Sequence, residues 1–442
     1  MTAASVPPPP FWQRVAVVKL GSDPAMVDKL PKPPRKNPLV RTRVATVPPM
    51  LRSRAALAFS VRAARGELQL QHCSDCGAIA YPARDVCDRC WSADLVWMPV
   101  SDRGQLLAIT VLESSTNVYF RERLPWRIGT VRVAEQVSVV MHVHQDVAEG
   151  DAVHIIARTD QSGQGVMMAL PLGETPHMED DPQLRVLGCS PKDRRVLITD
   201  VRSPSGQAMA RSAIDAGAAK VFAGVADSWK PDAKLDALLG EERIKPVDLN
   251  VTHSDSVREC ASSIGHKVDI LINTAAYVRP GGALDQPLIE ARREMETNYF
   301  GLLRLLQHFA PVMRSRGADG THGAVCWANW LSVYALSNWP AHGTSSASQS
   351  AALSLAQAAR AEFAGSGVKL LNVFYGPLED PWYQPQSPPL VTPKKLASVT
   401  VSALNDGLEE AVVGDIANDV VTRWREDPGV LEKELQSERS VE

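Results

Sequence analysis

Two Cys-x2-Cys pairs ten residues apart, Cys73/Cys76 and Cys87/Cys90, constrain the fold of this chain more than any other feature. Thiolates at that spacing make two knuckles that converge on one tetrahedral ion. Gly77 in the first knuckle and Pro82 between the two are turn residues that suit a zinc ribbon. Four cysteines leave no open position for a water, so the expected ion is structural Zn²⁺, and His72 beside the first ligand is not needed. Thiolates also suit iron, so the ligands alone leave an iron-sulfur cluster or a rubredoxin-like iron open. The remaining cysteines, Cys189, Cys260 and Cys326, are isolated, a pattern that fits a reducing compartment and metal ligation better than a disulfide framework.

The rest of the composition is that of a soluble globular protein. A chain of 442 residues with 45% hydrophobic and 22% charged residues can bury two or three cores. The net charge of -3 gives no global field for nucleic acid, but residues 1–65 carry 12 Lys or Arg against only Asp23 and Asp28. The prolines at 7–10, 31, 33, 34, 38, 48 and 49 break helices there, so residues 1–50 read as a basic, proline-rich arm. No apolar run approaches the roughly 20 residues that span a bilayer, and no secretory leader pattern is present. The expected location is cytoplasmic, with no membrane partner.

Two patterns follow one another. After a helical stretch over 51–65 and the cysteines, the segments 106–112, 128–133, 137–143 and 152–157 read as short strands between turn signals, which suggests a small β-barrel. Residues 173–193, polar and punctuated by Pro176, Pro182 and Pro191, read as a linker. From 194 to 425, strands at 195–199, 220–223, 268–273, 323–327 and 368–374 alternate with helices at 207–216, 288–314 and 345–363. Such alternation implies right-handed βαβ units and a parallel sheet covered on both faces, an α/β Rossmann-type doubly wound domain. Residues 426–442 read as a charged tail.

The run from Cys73 to Cys90, followed by Trp97-Met-Pro-Val-Ser-Asp-Arg-Gly104 and a β-rich stretch, resembles the rubredoxin-like zinc ribbon and OB-fold family over about residues 51–172. The resemblance implies an accessory subunit docked on a thiolase-fold enzyme acting on acyl-CoA, as in degradation of aromatic compounds or steroid side chains. OB-folds also bind single strands through basic grooves with stacking aromatics. Tyr119, Phe120 and Trp126 lie in the barrel stretch with Arg121, Arg123, Arg127 and Arg132. The aromatics read equally as core, so nucleic acid is disfavoured; the arginines could instead meet an acidic partner or a CoA phosphate.

Residues 194–425 resemble the short-chain dehydrogenase/reductase family. Asp248-Leu249 follows the third strand, Asn273-Thr-Ala-Ala276 ends the fourth, Asn298 precedes Gly301 on a long helix, Tyr375-Gly-Pro377 follows the sixth strand, and Ser332 stands at the family's catalytic serine. The departures concern function. The family's T-G-x-x-x-G-x-G turn lets backbone N–H groups approach a pyrophosphate. Here it reads Thr199-Asp200-Val-Arg-Ser-Pro204-Ser-Gly206, which puts a carboxylate near the diphosphate position and removes an N–H, so NAD(P) binding should be impaired unless Arg202 compensates. The degenerate nucleotide site comprises Thr199, Asp200, Pro204, Gly206, Asp248 and Asn273. The family's Tyr-x-x-x-Lys pair becomes Ser345-x-x-x-Gln349, and neither a serine hydroxyl nor a neutral amide supplies the phenol's proton chemistry.

The combined expectation is a non-catalytic pseudoenzyme subunit of a thiolase complex in β-oxidation-type acyl-CoA metabolism. Its partners would be a thiolase-fold subunit and either an active dehydrogenase or a second copy, packed through Leu302, Leu303, Leu305, Leu306, Phe309 and Val312 or through the 351–359 face. The alternative is an NAD(P)-dependent dehydrogenase of a hydroxyacyl-CoA with altered catalytic residues, Ser332 the survivor.

Overall fold

The computed structural model describes residues 47–438 apart from 51, 135–136, 177, 228, 231, 318–322 and 380–388. The arm at 1–50 lies outside the described residues except for 47–50. Ser53 caps the first helix, α1 (Arg54–Ala63), by accepting the Ala56 N–H. Three short strands follow, β1 (Gln69–Cys73), β2 (Ile79–Ala80) and β3 (Leu95–Pro99), forming an antiparallel sheet in the order β2-β1-β3. The cysteine knuckles are the turns of this ribbon.

The barrel has five strands: β4 (Arg103–Leu112), β5 (Trp126–Ala134), β6 (Val137–Val143), β7 (Ala152–Thr159) and β8 (Gly165–Pro171), with a one-turn helix α2 (Val118–Arg121) between β4 and β5. It closes in the order β4-β5-β6-β8-β7 through a parallel β6/β8 pair and an antiparallel β7/β4 pair. Five strands and closure are what an OB-type barrel requires. The fifth strand, β8, was not legible because Gly165-Val-Met-Met-Ala-Leu-Pro171 runs apolar without alternation. Leu106, Val131, Val139, Val153 and Ile155 fill the barrel, and α1 closes one end with Phe59 and Ala63. Tyr119 and Trp126 are core residues too, at 2% and 3% exposure, so they offer no stacking platform for bases.

Residues 173–193 are not a solvated linker. They contain a 3₁₀ turn (Met178–Asp180) and α3 (Pro182–Leu187). The polar side chains that suggested a linker are spent locally. Asp181, buried, caps α3 by accepting from Gln183 N and Leu184 N at 2.8 Å and takes the Gln145 N–H as well. Gln183 exchanges both its amide hydrogen bonds with the backbone of Arg127 on β5, fastening the segment to the barrel.

The second half is a seven-stranded, all-parallel sheet in the order β11-β10-β9-β12-β13-β14-β15. Its elements run β9 (Arg195–Ile198), α4 (Pro204–Asp215), β10 (Lys220–Val225), α5 (Ala233–Leu239), β11 (Ile244–Asp248), α6 (Ser254–Ile264), β12 (Ile270–Asn273), α7 (Leu288–Glu294), α8 (Leu302–Arg316), β13 (Cys326–Ser332), α9 (Gly343–Phe363), β14 (Lys369–Tyr375), α10 (Pro393–Asn405), β15 (Glu410–Val413) and α11 (Asp415–Glu426). The strands are buried on both faces, which is why they read as continuous apolar runs. One face packs against α4, α5 and α10, the other against α6, α8 and α9. Between α7 and α8 the helix widens into a π-type segment, Met295–Gly301, containing Asn298. Leu302, Leu305 and Phe309 face the molecule's own sheet, while Leu303, Leu306 and Val312 are only partly buried.

The expected charged tail is a packed helix as far as it is described. Helix α12 (Pro428–Glu438) sets Leu431 and Leu435 against Ala417, Val420 and Val421 of α11. Two apolar residues four apart within Lys/Glu-rich surroundings suffice to seat a helix whose composition alone suggests solvent.

The barrel and the parallel sheet are fastened together. Lys369 at the start of β14 is buried, and its ammonium donates to Thr159 O (2.6 Å) at the end of β7, Leu187 O (2.7 Å) at the end of α3 and Gly407 O (3.0 Å) before β15. Arg158 of β7 pairs with Asp406 at 2.6 Å, and Arg65 after α1 pairs with Glu410 at 2.9 Å.

Candidate functional site

The metal centre is built by backbone geometry. Gly77 N donates to Cys73 O and Trp91 N to Cys87 O, so each knuckle folds back one residue after its second cysteine. Both of those residues are left-handed, Gly77 at φ 69° and Trp91 at φ 62°. The four sulfurs lie within 4.8 Å of one another, with Cys73–Cys90 at 3.5 Å and Cys76–Cys87 at 3.6 Å. A tetrahedral Zn²⁺ with Zn–S near 2.3 Å needs sulfurs roughly 3.8 Å apart, so the donor set fits a closed structural zinc site.

The nucleotide crevice of a doubly wound sheet lies outside the carboxyl ends of its strands where the order reverses, here between β9 and β12. Thr199, Asp200, Asn273 and Thr274 do meet there. Thr199 Oγ1 donates to Asn273 Oδ1 at 2.9 Å and accepts from Thr274 N at 3.0 Å, and Asp200 N donates to Thr274 Oγ1 at 3.0 Å. Gly206 belongs to the same turn for a steric reason: a Cβ there would lie 1.8 Å from Asp200 O. Asp248 is at the exposed end of β11. The turn is satisfied in part, with Ser205 Oγ buried and without a partner among the described residues. Asp200 Oδ1 accepts the Arg202 N–H (2.9 Å), Ser203 Oγ caps the Gly206 N–H (3.0 Å), and Pro204 has no N–H. The Arg202 guanidinium donates to the carbonyls of Ala226 (2.6 Å), Asp227 (2.5 Å) and Lys230 (2.9 Å) after β10.

The third site is a cleft open to solvent at the carboxyl ends of β13 and β14, lined by Ser332, Ser345 and Gln349 among others. The backbone N–H of Ser332 donates to Gln349 Oε1 at 3.2 Å, and Ser332 Oγ accepts from Tyr334 N at 3.3 Å. Trp339 stacks between Tyr334 (4.8 Å) and His342 (4.7 Å), forming one wall. Burial holds the His342 imidazole below its ordinary pKa, so it is neutral at pH 7. None of the described lining residues is Asp, Glu, Lys or Arg.

Beneath the cleft lies a residue that sequence reasoning missed. Glu294, at the end of α7, is fully buried; its Oε1 accepts the Ser345 hydroxyl and the Arg279 N–H (3.0 Å), and its Oε2 has no partner among the described residues. Fifty-one residues separate Glu294 from Ser345, and no local pattern announces their contact. Asn298, four residues on, joins the loop after β12 to α9 by exchanging hydrogen bonds with the Tyr277 backbone and donating to Ser348 Oγ, each at 2.8 Å. Among the described residues the cleft thus contains the Tyr334 and Tyr375 phenols, serine hydroxyls, an amide and a neutral imidazole, and Gln349 stands where a lysine would activate a proton donor.

A four-cysteine ribbon followed by a barrel and a doubly wound sheet with a cleft beside its fifth and sixth strands defines a metal-ribbon protein fused to a dehydrogenase-type domain. Comparison with known families gives the same division: residues 61–96 match the ChsH2 rubredoxin-like zinc ribbon domain and residues 194–387 match short chain dehydrogenase. The chain therefore joins a rubredoxin-like zinc ribbon to a short-chain dehydrogenase domain. Among characterised proteins it is similar to short-chain dehydrogenase cctT of Talaromyces islandicus, 29% identical over 33% of this chain and 50% of that protein. It is also similar to short-chain dehydrogenase PC-15 of Penicillium crustosum, 28% identical over 42% of this chain and 72% of that protein. The chain thus spans about half the length of the first relative and nearly three quarters of the second. A short-chain dehydrogenase from Burkholderia cenocepacia J2315, solved in complex with NADP, superposes with a TM-score of 0.50 at 28% identity, covering 56% of this chain and 98% of that one.

Proposed function

We propose that this chain is a non-catalytic accessory subunit of a thiolase-like complex in cytoplasmic acyl-CoA metabolism, and that its dehydrogenase domain does not turn over NAD(P). The observation that carries the reading is the pair Ser345 and Gln349: the hydroxyl is committed to buried Glu294 and the amide oxygen to the Ser332 backbone, so neither of these two residues supplies an activated proton donor. The turn at 199–206 supports it, since Asp200 and Ser203 occupy two of its N–H groups, those of Arg202 and Gly206. The ribbon and barrel would dock on a thiolase-fold partner that carries the carbon–carbon chemistry on an acyl-CoA. A dehydrogenase-derived domain beside it fits a sequence in which hydroxyacyl oxidation precedes thiolytic cleavage.

A second reading, an NAD(P)-dependent dehydrogenase retaining Ser332, is favoured by one observation: the NADP-bound Burkholderia enzyme is covered over 98% of its length. Calorimetric titration of the zinc-loaded chain with NADPH and NADH, together with intact-complex mass spectrometry of a native preparation, separates the two. The accessory reading expects no cofactor heat and a co-purifying thiolase-sized subunit. Micromolar cofactor affinity in an isolated chain would remove it.

A further inference from the structure

We infer that the nucleotide crevice of the parallel sheet is closed by the chain's own Arg202, whose side chain occupies the place that an adenosine ribose takes in a doubly wound domain. Resting on the reading that this domain does not turn over NAD(P), such a plug gives that reading a physical cause beyond the lost glycines.

In a doubly wound sheet a dinucleotide lies across the carboxyl ends of the strands at the switch point. Its diphosphate meets the turn after the first strand, and its adenosine ribose is read by an acid near the end of the neighbouring strand. Here the turn is 199–206 after β9, and the neighbouring strand is β10, which pairs in parallel with β9. A side chain that joins this turn to the segment after β10 therefore crosses the ribose position. Arg202 makes that connection three times over. Its Nε donates to Ala226 O at 2.6 Å, and its Nη2 donates to Asp227 O at 2.5 Å and Lys230 O at 2.9 Å.

The arginine is held at its backbone as well. Asp200 Oδ1 accepts its N–H at 2.9 Å, and its carbonyl accepts from Nε2 of buried Gln207 at 3.3 Å. Asp200, which replaces a glycine, thus anchors the residue that spans the crevice. On the far side, Asp227 stands at φ 51°, a left-handed conformation uncommon for a residue with a side chain, and its carboxylate pairs with Lys230 Nζ. The acid placed to read a ribose hydroxyl is engaged by a neighbour, while its carbonyl is engaged by Arg202. A planar guanidinium loses little freedom per hydrogen bond, so an entering ligand has to break several charge-assisted bonds to displace it. The residues present do not fit a dinucleotide. A cation in this turn could serve a diphosphate, but one committed to three carbonyls opposes nucleotide entry.

The test titrates the full-length, zinc-loaded chain by calorimetry with NADH, which lacks the 2′-phosphate that an arginine attracts. Arg202→Ala is placed on the Asp200→Gly/Pro204→Gly background, where the N–H groups of the turn are restored. It is expected to tighten NADH binding at least tenfold over that background, because the bonds that compete with the ligand are gone. If the triple variant does not fold by circular dichroism, Arg202→Ala alone is titrated with AMP, whose single phosphate does not need the whole turn, and it should bind at least tenfold more tightly than the unmodified chain. Unchanged affinity on removing Arg202 overturns the inference, and so does weaker affinity, which would mark Arg202 as a phosphate-binding cation. Micromolar NADH binding by the unmodified chain would defeat the accessory reading, yet a further gain on removing Arg202 would still sustain the plug. No binding by the unmodified chain and no gain on removing Arg202 would defeat this inference alone.

Discussion

At the scale of single residues, replacements in the turn after β9 change what the backbone around them offers. Asp200 and Pro204 do more than subtract glycines. Asp200 occupies the Arg202 N–H and Pro204 deletes another donor, so the turn has fewer free N–H groups to offer a diphosphate. Reverting both in Asp200→Gly/Pro204→Gly should raise NADPH affinity at least tenfold in a fluorescence titration, without restoring turnover, because Ser345 and Gln349 remain. A second residue-scale consequence concerns acid. His142 in the barrel accepts the Trp126 indole N–H at 3.0 Å, and burial lowers its pKa to about 4. A depressed histidine contributes stability that is complete above its unfolded pKa near 6.5 and is lost as pH falls toward 4. His142→Phe should therefore make thermal unfolding less sensitive to pH between 6.5 and 4, where the histidine costs up to about 3 kcal/mol at the acid end. An unchanged slope of melting temperature against pH would show that the imidazole is not buried in solution.

At the scale of elements, the ribbon is the clearest case of geometry overriding residue preference. Trp91 sits at the same point of its knuckle as Gly77 and in the same left-handed conformation, yet it is 80% exposed and has little packing to lose. Trp91→Gly should relieve about 1 kcal/mol of backbone strain and strengthen zinc retention against a chelator several-fold. Replacing a ligand has the opposite effect. Cys87→Ser should release the metal, and since Leu70, Tyr81 and Trp97 of the ribbon pack into the same core as the barrel strands, barrel and ribbon should lose structure together, seen by near-ultraviolet circular dichroism. The elements most legible in the sequence were the metal knuckles and the alternating strands and helices from 194 onward, because fixed spacing and apolar periodicity are local signals. The strand at 165–171, the helix at 182–187 and the helix at 428–438 were not, because each takes its conformation from the surface it covers.

At the scale of the whole molecule, a buried ammonium joins the barrel to the parallel sheet, alongside the Arg158–Asp406 and Arg65–Glu410 pairs. Lys369 satisfies three carbonyls from three segments, and burial lowers its pKa. Lys369→Met keeps the volume and strands those carbonyls. At about 1–3 kcal/mol for each buried group left unpaired, the loss should split a single calorimetric transition into two, with the barrel separating first. A single transition with an unchanged midpoint would show that the junction is held elsewhere. The sequence by itself determined the four-cysteine metal site, the order of the domains, the doubly wound sheet, and the loss of the Tyr and Lys positions. Each of these is written in residue identity at short spacing. Only the tertiary structure decided that Glu294 lies under Ser345, that Lys369 bridges the two halves, and that the segments resembling a linker and a tail are packed helices. Those contacts join residues tens to hundreds of positions apart, and no local pattern encodes which distant surface a side chain will meet.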